Sequence, residues 1–448
     1  MSRRVHLVGI AGAGMSAIAR VLHERGESVS GSDRERSPYA EALEASGVRV
    51  HYGHEAGHAA GADLLVISSA IPADNPEVRA AEAAGVPVLR RNAFLGELTQ
   101  GLYTLAVAGT HGKTTTTGWI AWVLDQAGLA PGFVAGGLLP DLGGNARAGA
   151  GRHFVIEADE YDRAFLALTP DVAVVTNVEH DHPDCYPTAQ DFQQAFEAFA
   201  ARVTGRLIVC ADDPGAAALR TDAARSTYGL AREAEWRAEE IRPNVAGGSD
   251  FLALQGEATL GLVRTRLPGL HNVRNALAVL AAADAVGVGF SEARRALTDF
   301  RGAARRFEVI GEAGGITVVD DYAHHPGEIR ATLQAARARY PRAQVWAVFQ
   351  PHTYSRVRAL LEGFADAFEQ ADHVVVTEIY AAREAPDPSL SGAALAASLR
   401  HADVQFIPAL PDAARFLQDQ VRAPALVVTL SAGDGNLVGR QLLDGLAG

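Results

Sequence analysis

The chain has two cysteines in 448 residues, Cys185 and Cys210, too few for a disulfide framework or a cysteine-rich zinc module. It has no apolar run of about 18 residues, so no transmembrane helix is expected. An excess of positive charge is missing too. Acidic residues number 53 against 40 basic ones, a formal net charge of −13, which gives no overall case for nucleic-acid binding. Arg3 and Arg4 precede a short apolar stretch, but this runs straight into a glycine loop. A first strand is expected there, not a signal peptide, and with it a cytoplasmic protein.

The scarcest residue is lysine. Of the 40 basic side chains one alone is a lysine, Lys113. Arginine serves for surface charge and carboxylate pairing, but it cannot copy a compact ammonium at a phosphate. The single lysine stands inside a glycine-rich turn worded like a phosphate loop, which points to a function for it. The rest of the composition is ordinary for a globular chain, with 48% hydrophobic and 21% charged residues. The 45 glycines and 20 prolines are scattered between apolar runs and read as turns. At roughly 150 residues per domain the length predicts about three domains.

Apolar runs and helical stretches alternate along the chain, which predicts parallel α/β sheets. Strands are expected at 5–9, 28–33 and 64–69 in a first segment, and at 103–108, 153–156, 172–176 and 207–209 in a second. Residues 231–261 read as irregular or antiparallel, and a helix over 271–285 closes this segment. Strands at 316–321, 345–349, 374–377 and 425–430 predict a third doubly wound sheet.

Two glycine loops carry the chemistry. Gly9-Ile10-Ala11-Gly12-Ala13-Gly14-Met15-Ser16 follows a strand and opens a helix, where glycines let a pyrophosphate reach backbone N–H groups. Asp33, at the end of the next strand, suits a sugar or base contact. A nicotinamide dinucleotide is the usual inference, yet any nucleoside diphosphate satisfies this loop. Gly109-Thr110-His111-Gly112-Lys113-Thr114-Thr115-Thr116-Thr117 is the sharper motif. Its backbone N–H groups cradle phosphate oxygens, Lys113 bridges the outer phosphates, and the Thr114 hydroxyl reaches Mg²⁺. The common spacing needs glycine at position 107, where Val107 stands, so this is a shortened variant.

Glu157-Ala158-Asp159-Glu160-Tyr161-Asp162 and Asn177-Val178-Glu179-His180-Asp181-His182 each follow a strand, where carboxylates suit Mg²⁺. His271 and Asn275, at i and i+4, share a helix face. The Asn275 amide suits adenine, while Asn272 suits a helix cap. Asp320-Asp321-Tyr322-Ala323-His324-His325-Pro326 and Gln350-Pro351-His352-Thr353-Tyr354-Ser355-Arg356 are polar clusters after third-segment strands, suited to anions and an amine. Arg356 is a natural carboxylate partner.

The ordered set of motifs at 9–16, 109–117, 157–162, 271–275, 320–328 and 350–356 resembles that of the Mur ligases over essentially the whole chain. The resemblance implies an α/β, three-domain Mur ligase architecture. A Rossmann-like UDP-sugar domain would span 1–98, a central P-loop ATPase domain 99–303, and a Rossmann-like amino-acid-binding domain 304–448. It implies ATP as co-substrate, Mg²⁺ as cofactor, UDP-N-acetylmuramate and L-alanine as partners, and a monomer or homodimer.

ATP would be held by Gly109, Thr110, His111, Gly112, Lys113, Thr114, Thr115, His271, Asn275, Arg306 and Asp321, and magnesium by Thr114, Glu157 and His182, with His180 as the alternative. Gly12, Gly14, Asp33 and Ser69 match the UDP-sugar domain, with Tyr322, His324, His352 and Arg356 around the lactyl group and the amino acid. Lys113, His324 and Arg356 are the implied catalytic residues. Two departures stand out: Thr353 where many relatives have arginine, and the added histidine and proline at 180–183. With no second lysine, the carbamylated lysine of several related ligases is impossible here.

The expected activity is ATP-dependent ligation of L-alanine to the lactyl carboxylate of UDP-N-acetylmuramate through an acyl phosphate, for peptidoglycan. The alternatives are addition of a recycled murein tripeptide, a nucleotide-dependent dehydrogenase and a non-catalytic nucleotide switch.

Overall fold

The computed structural model describes residues 2–382 and 384–447, in three sheets flanked by helices. The first sheet is all parallel, in the order Arg49–Tyr52, Ser28–Asp33, Arg4–Val8, Leu64–Ile67, Val88–Arg90. The chain reverses direction across the sheet at Arg4–Val8, which opens a crevice at the carboxyl ends. Val8 is in register with both Ser32 and Ile67, so Gly9, Asp33 and Ser68 leave the sheet at one level.

The middle sheet has ten strands. Tyr103–Ala108 lies between Val172–Val175 and His153–Glu157, all parallel. Ala108 is opposite Val175, and Val107 is opposite Glu157, so the phosphate loop, Glu157 and Thr176 share one sheet edge. The segment expected to be irregular or antiparallel forms antiparallel strands, Trp236–Pro243, Ser249–Gln255 and Ala258–Arg264. Gly132–Leu139, Gly144–Arg147 and Ala224–Gly229 are further strands that the periodicity does not announce.

The third sheet runs Glu308–Ala313, Ile316–Asp321, Ala425–Leu430, Gln344–Phe349, His373–Val376, Val404–Phe406, with only the first strand antiparallel. Asp321 and Phe349 both pair with Leu430, so the two polar clusters that follow them emerge side by side.

The helices start where the local chemistry directs. Gly112, at φ 81°, precedes the helix Lys113–Gln126, which therefore begins at the lysine. His325 caps Pro326–Arg339 together with Glu328, whose carboxylate accepts from the His325 N–H at 3.3 Å. The apolar core is continuous between the first and middle sheets, through Leu22, Trp119, Phe165 and Leu277. The third sheet has separate cores on its two faces, around Phe349 and Trp346. Polar pairs, His111–Glu328 and Asp181–Arg356 among them, tie it to the middle domain.

Candidate functional site: two cavities between three domains

The phosphate loop threads a gap that admits no side chain. A Cβ on Gly109, at φ 135°, would meet the Thr176 Oγ1 at 1.9 Å, and one on Gly112 would come within 3.1 Å of Asn275 Oδ1. The loop is pinned from the neighbouring strand end. The His111 N–H donates to Asn177 Oδ1 at 2.9 Å, Thr176 Oγ1 donates to the His111 carbonyl at 2.6 Å, and Thr110 Oγ1 donates to the Glu179 carbonyl at 2.7 Å. The Lys113 ammonium folds back over this loop, donating to the carbonyls of Gly109 at 2.6 Å and Thr110 at 3.1 Å, and to Glu160 at 2.9 Å. Burial opposes its charge, but Glu160 and Glu157 more than offset this and raise its pKa.

Beside the lysine, Glu157 accepts from Thr114 Oγ1 at 3.1 Å and from the Gly136 N–H at 2.6 Å. Burial pushes its carboxyl up, against the pull of Lys113. His182 Nε2 lies 3.5 Å from Glu160 Oε1 and 3.7 Å from Asp181 Oδ2. His180 turns the other way, its Nε2 2.8 Å from the Tyr186 carbonyl and its ring against Phe192. Of the two histidines, His182 is therefore the one beside the carboxylates.

A cavity of about 270 Å³ lies between the middle and third domains. Its wall includes His111, Gly112, Thr115, His271, Asn275, Arg306 and Asp321, distant in sequence and assembled here. Asn272, the alternative cap, does not start its helix; Gly269 does, and Asn272 donates to the Pro268 carbonyl at 2.8 Å. The Asn275 amide donates to Asn272 Oδ1 at 3.1 Å, leaving its own oxygen toward the loop. Burial, aided by Arg274 and Arg306, lowers His271 to about 4, so it is neutral. Asp321 accepts from the Phe307 and Ala323 N–H groups at 2.7 and 2.8 Å, yet burial holds it up at about 6. His111 bridges Glu179, at 3.1 Å, and Glu328, at 3.3 Å. Burial disfavours its charge, and these two carboxylates raise it to about 9 all the same.

A second cavity, of about 500 Å³, is walled by all three domains: Gly12, Gly14 and Ser69 from the first, His182 from the middle, and Tyr322, His352 and Arg356 from the third. Asp33 lies behind the loop, where its carboxylate accepts from the Ala11 N–H at 2.9 Å. Arg91, unremarked in the sequence, reaches under the loop to Asp159 at 2.6 Å, and a Cβ on Gly14 would meet its guanidinium at 2.5 Å.

Arg356, read as a carboxylate partner, already has one in the protein. Its Nε donates to Asp181 Oδ1 at 3.0 Å and its Nη2 to Oδ2 at 3.3 Å, and Nη1 donates to His352 Nδ1 at 3.0 Å. His324 Nδ1 is 2.9 Å from the Tyr322 carbonyl and must donate there, which leaves Nε2 as an acceptor. Burial and Arg356 lower its pKa to about 3. Thr353 holds a left-handed φ of 63° at the mouth of this cluster, which a β-branched residue adopts only under constraint. The sequence offers Glu160 and Asp181 as members of carboxylate clusters suited to Mg²⁺, and does not announce them or Glu328 as counter-ions. Glu328 alone had a local signal, three residues after the cap His325.

This pair of cavities, one at a phosphate loop and one shared by three α/β domains, is the arrangement of an ATP-using ligase. Residues 4–103 match the family model described as Mur ligase family, catalytic domain, residues 107–283 the Mur ligase middle domain, and residues 305–433 the Mur ligase, glutamate ligase domain. The chain belongs to the Mur ligase family.

It is 48% identical to the UDP-N-acetylmuramate–L-alanine ligase of Roseiflexus sp. (strain RS-1), over 98% of each chain. The protein of that name from Salinibacter ruber is 45% identical, over 96% of this chain and 92% of that one. Among solved structures, the UDP-N-acetylmuramate-alanine ligase of Thermotoga maritima superposes with a TM-score of 0.84 at 29% identity, over 98% of both chains. A murein peptide ligase from Psychrobacter arcticus gives 0.73 at 28% identity, over 99% of both.

Proposed function

We propose that this chain joins L-alanine to the lactyl carboxylate of UDP-N-acetylmuramate at the expense of ATP, giving ADP and phosphate, in peptidoglycan precursor synthesis. The carrying observation is that the loop beside the nucleotide cavity and the three-domain cavity are linked through one contact chain, Lys113 to Glu160 to His182. Near-full-length likeness to alanine ligases at 48% identity agrees with it. In our reading residues 1–98 hold the UDP-sugar, 99–303 the nucleotide, and 304–448 the amino acid, and the reaction runs in the cytoplasm, where ATP is supplied.

A carboxylate is a poor electrophile, so the lactyl oxygen first takes the terminal phosphate of ATP to form an acyl phosphate. The alanine amine then adds to that carbonyl, and the tetrahedral intermediate expels phosphate, which carries off the amine proton, and leaves the amide. The protein's part is positioning and charge screening. Lys113 exchanges Glu160 for phosphate oxygens, while the N-terminus of its helix adds N–H groups. Asn275, His271, Arg306 and Asp321 hold the nucleoside end. Gly12 and Gly14 take the UDP diphosphate, Ser69 the sugar side, and Asp33 holds the loop in shape. Arg356 and His352 orient the carboxylate, and Tyr322 closes over it. His324 Nε2 accepts a hydrogen bond from the attacking amine; at a pKa of about 3 it orients this group and does not store its proton. Docking of the third domain excludes water from the acyl phosphate.

The donor set beside Lys113 fits magnesium. Glu157 is a half-buried carboxylate whose pKa is raised by desolvation, flanked by the Thr114 hydroxyl, and a Cβ at Gly136 would sit 2.7 Å from its Oε1. Thr114, Glu157 and His182 would hold the ion, which when bound screens the phosphate charge.

Phosphate release with Mg-ATP and UDP-N-acetylmuramate, with and without L-alanine, tests the assignment. Release that requires alanine is expected. Release only with the murein tripeptide would move the chain to recycling, the reading that the Psychrobacter relative keeps in view.

A further inference from the structure

One polar cluster borders the nucleotide cavity through His111, while its other two members, Glu179 and His325, have no part in the ligase chemistry described above. His111 leaves the phosphate loop, Glu179 follows the strand Val172–Val175, and His325 caps the helix Pro326–Arg339, so the three come from two domains. Their nearest ligand atoms all lie within 4.8 Å of one another, and the two imidazole centroids are 4.7 Å apart. We propose that His111, Glu179 and His325 bind a divalent transition-metal ion of the zinc class, which clamps the third domain onto the middle one.

Four observations support this. Two imidazoles and one carboxylate are the donors of Zn²⁺, Co²⁺ or Ni²⁺ sites, whereas Mg²⁺ takes oxygen and water. The distances bracket the roughly 3.3 Å between donors of a tetrahedral site: His111 Nε2 is 3.1 Å from Glu179 Oε2, and His325 Nδ1 is 3.9 Å from Glu179 Oε1. An outer carboxylate is already in place, Glu328 Oε1 at 3.3 Å from the other nitrogen of His111, the pairing that orients metal-bound imidazoles. Finally, His325 is 2% exposed, so its imidazole is held in the interface beside Glu179 and His111.

The His325 Nδ1 accepts from the Gly327 N–H at 3.2 Å, and coordination exchanges that contact for a metal–nitrogen bond. Glu179, with 45% of its side chain exposed, gives the ion a way in. The set shares no residue with Thr114, Glu157 and His182. Because His111 and Gly327 also wall the nucleotide cavity, a bound ion holds that cavity closed and slows turnover.

Calorimetric titration of the full chain with zinc chloride, in buffer free of nucleotide and magnesium, tests the site. One ion per chain is expected, with binding at least tenfold weaker in Glu179→Gln and in His325→Asn. Asparagine preserves the helix cap, so the second variant separates lost ligation from lost folding. Cobalt(II) added to the unmodified chain should show the visible absorption of a low-coordinate nitrogen–oxygen site. Zinc binding unchanged in both variants, or lost in His182→Ala instead, would overturn the proposal.

Discussion

Lys113 and Glu160, 47 residues apart, form an ion pair at 2.9 Å in which the chain's one lysine meets a carboxylate that is 1% exposed. In the proposed mechanism phosphate oxygens take the place of Glu160 on this lysine. Lys113→Ala is expected to lower phosphate release by roughly a hundred- to a thousandfold, the cost of losing one preorganised charge at a transition state. UDP-N-acetylmuramate affinity, measured by calorimetry, should stay within about twofold. Loss of both together would contradict the assignment of the two ligands to separate domains.

Arg356 and Asp181 make the corresponding pair between the third and middle domains, both buried. Asp181→Ala leaves a guanidinium unpaired in the interior. Chemical denaturation should report a loss of about 3 kcal/mol or more. A change below about 1 kcal/mol would mean that water reaches the pair.

The nucleotide cavity titrates. Asp321 is held at about 6 against an ordinary 3.8, so between these values the folded chain binds a proton that the unfolded chain has released. Its contribution to stability therefore falls as the pH rises through that window. For function the sign is opposite, because in the proposed reading the nucleotide donates to Asp321 and the carboxylate is the stronger acceptor than the protonated acid. The KM for ATP should rise as the pH falls from 7 to 5, and Asp321→Asn should flatten the profile at the high value. A wild-type KM that is level across this range would count against Asp321 as a nucleotide contact.

The two neighbouring histidines should separate cleanly. His182→Ala is expected to raise the magnesium concentration for half-maximal phosphate release by roughly 10- to 100-fold. His180→Ala, which removes a contact to the Tyr186 carbonyl, should lower the melting temperature and leave the magnesium dependence alone. The reverse pattern would exchange their roles.

The parts legible in the sequence are those with a local signature. Lys113, Gly109 and Gly112 sit between a strand and a helix, and Asp321 and His352 follow apolar runs, so their level at a sheet edge follows from the period of the pattern. Glu160 and Asp181 were visible as acidic residues but not as counter-ions. That role depends on partners 47 and 175 residues away, and no local pattern encodes such a distance. Asp33 has a contact its spacing does not announce: beside the ligand contact expected of it, its carboxylate accepts from the Ala11 N–H and shapes the loop. The strand Gly132–Leu139 escapes detection because glycines at 132, 136 and 137 weaken its signal, and its site role is the Gly136 N–H given to Glu157.

The acyl phosphate is the centre of the account, and oxygen-18 tests it directly. UDP-N-acetylmuramate labelled in both lactyl carboxylate oxygens would be turned over with ATP, magnesium and L-alanine, and the phosphate and product weighed by mass spectrometry. One labelled oxygen in the phosphate and one in the new amide is the predicted result. Phosphate without label, from a reaction that still forms the alanyl product, would contradict it.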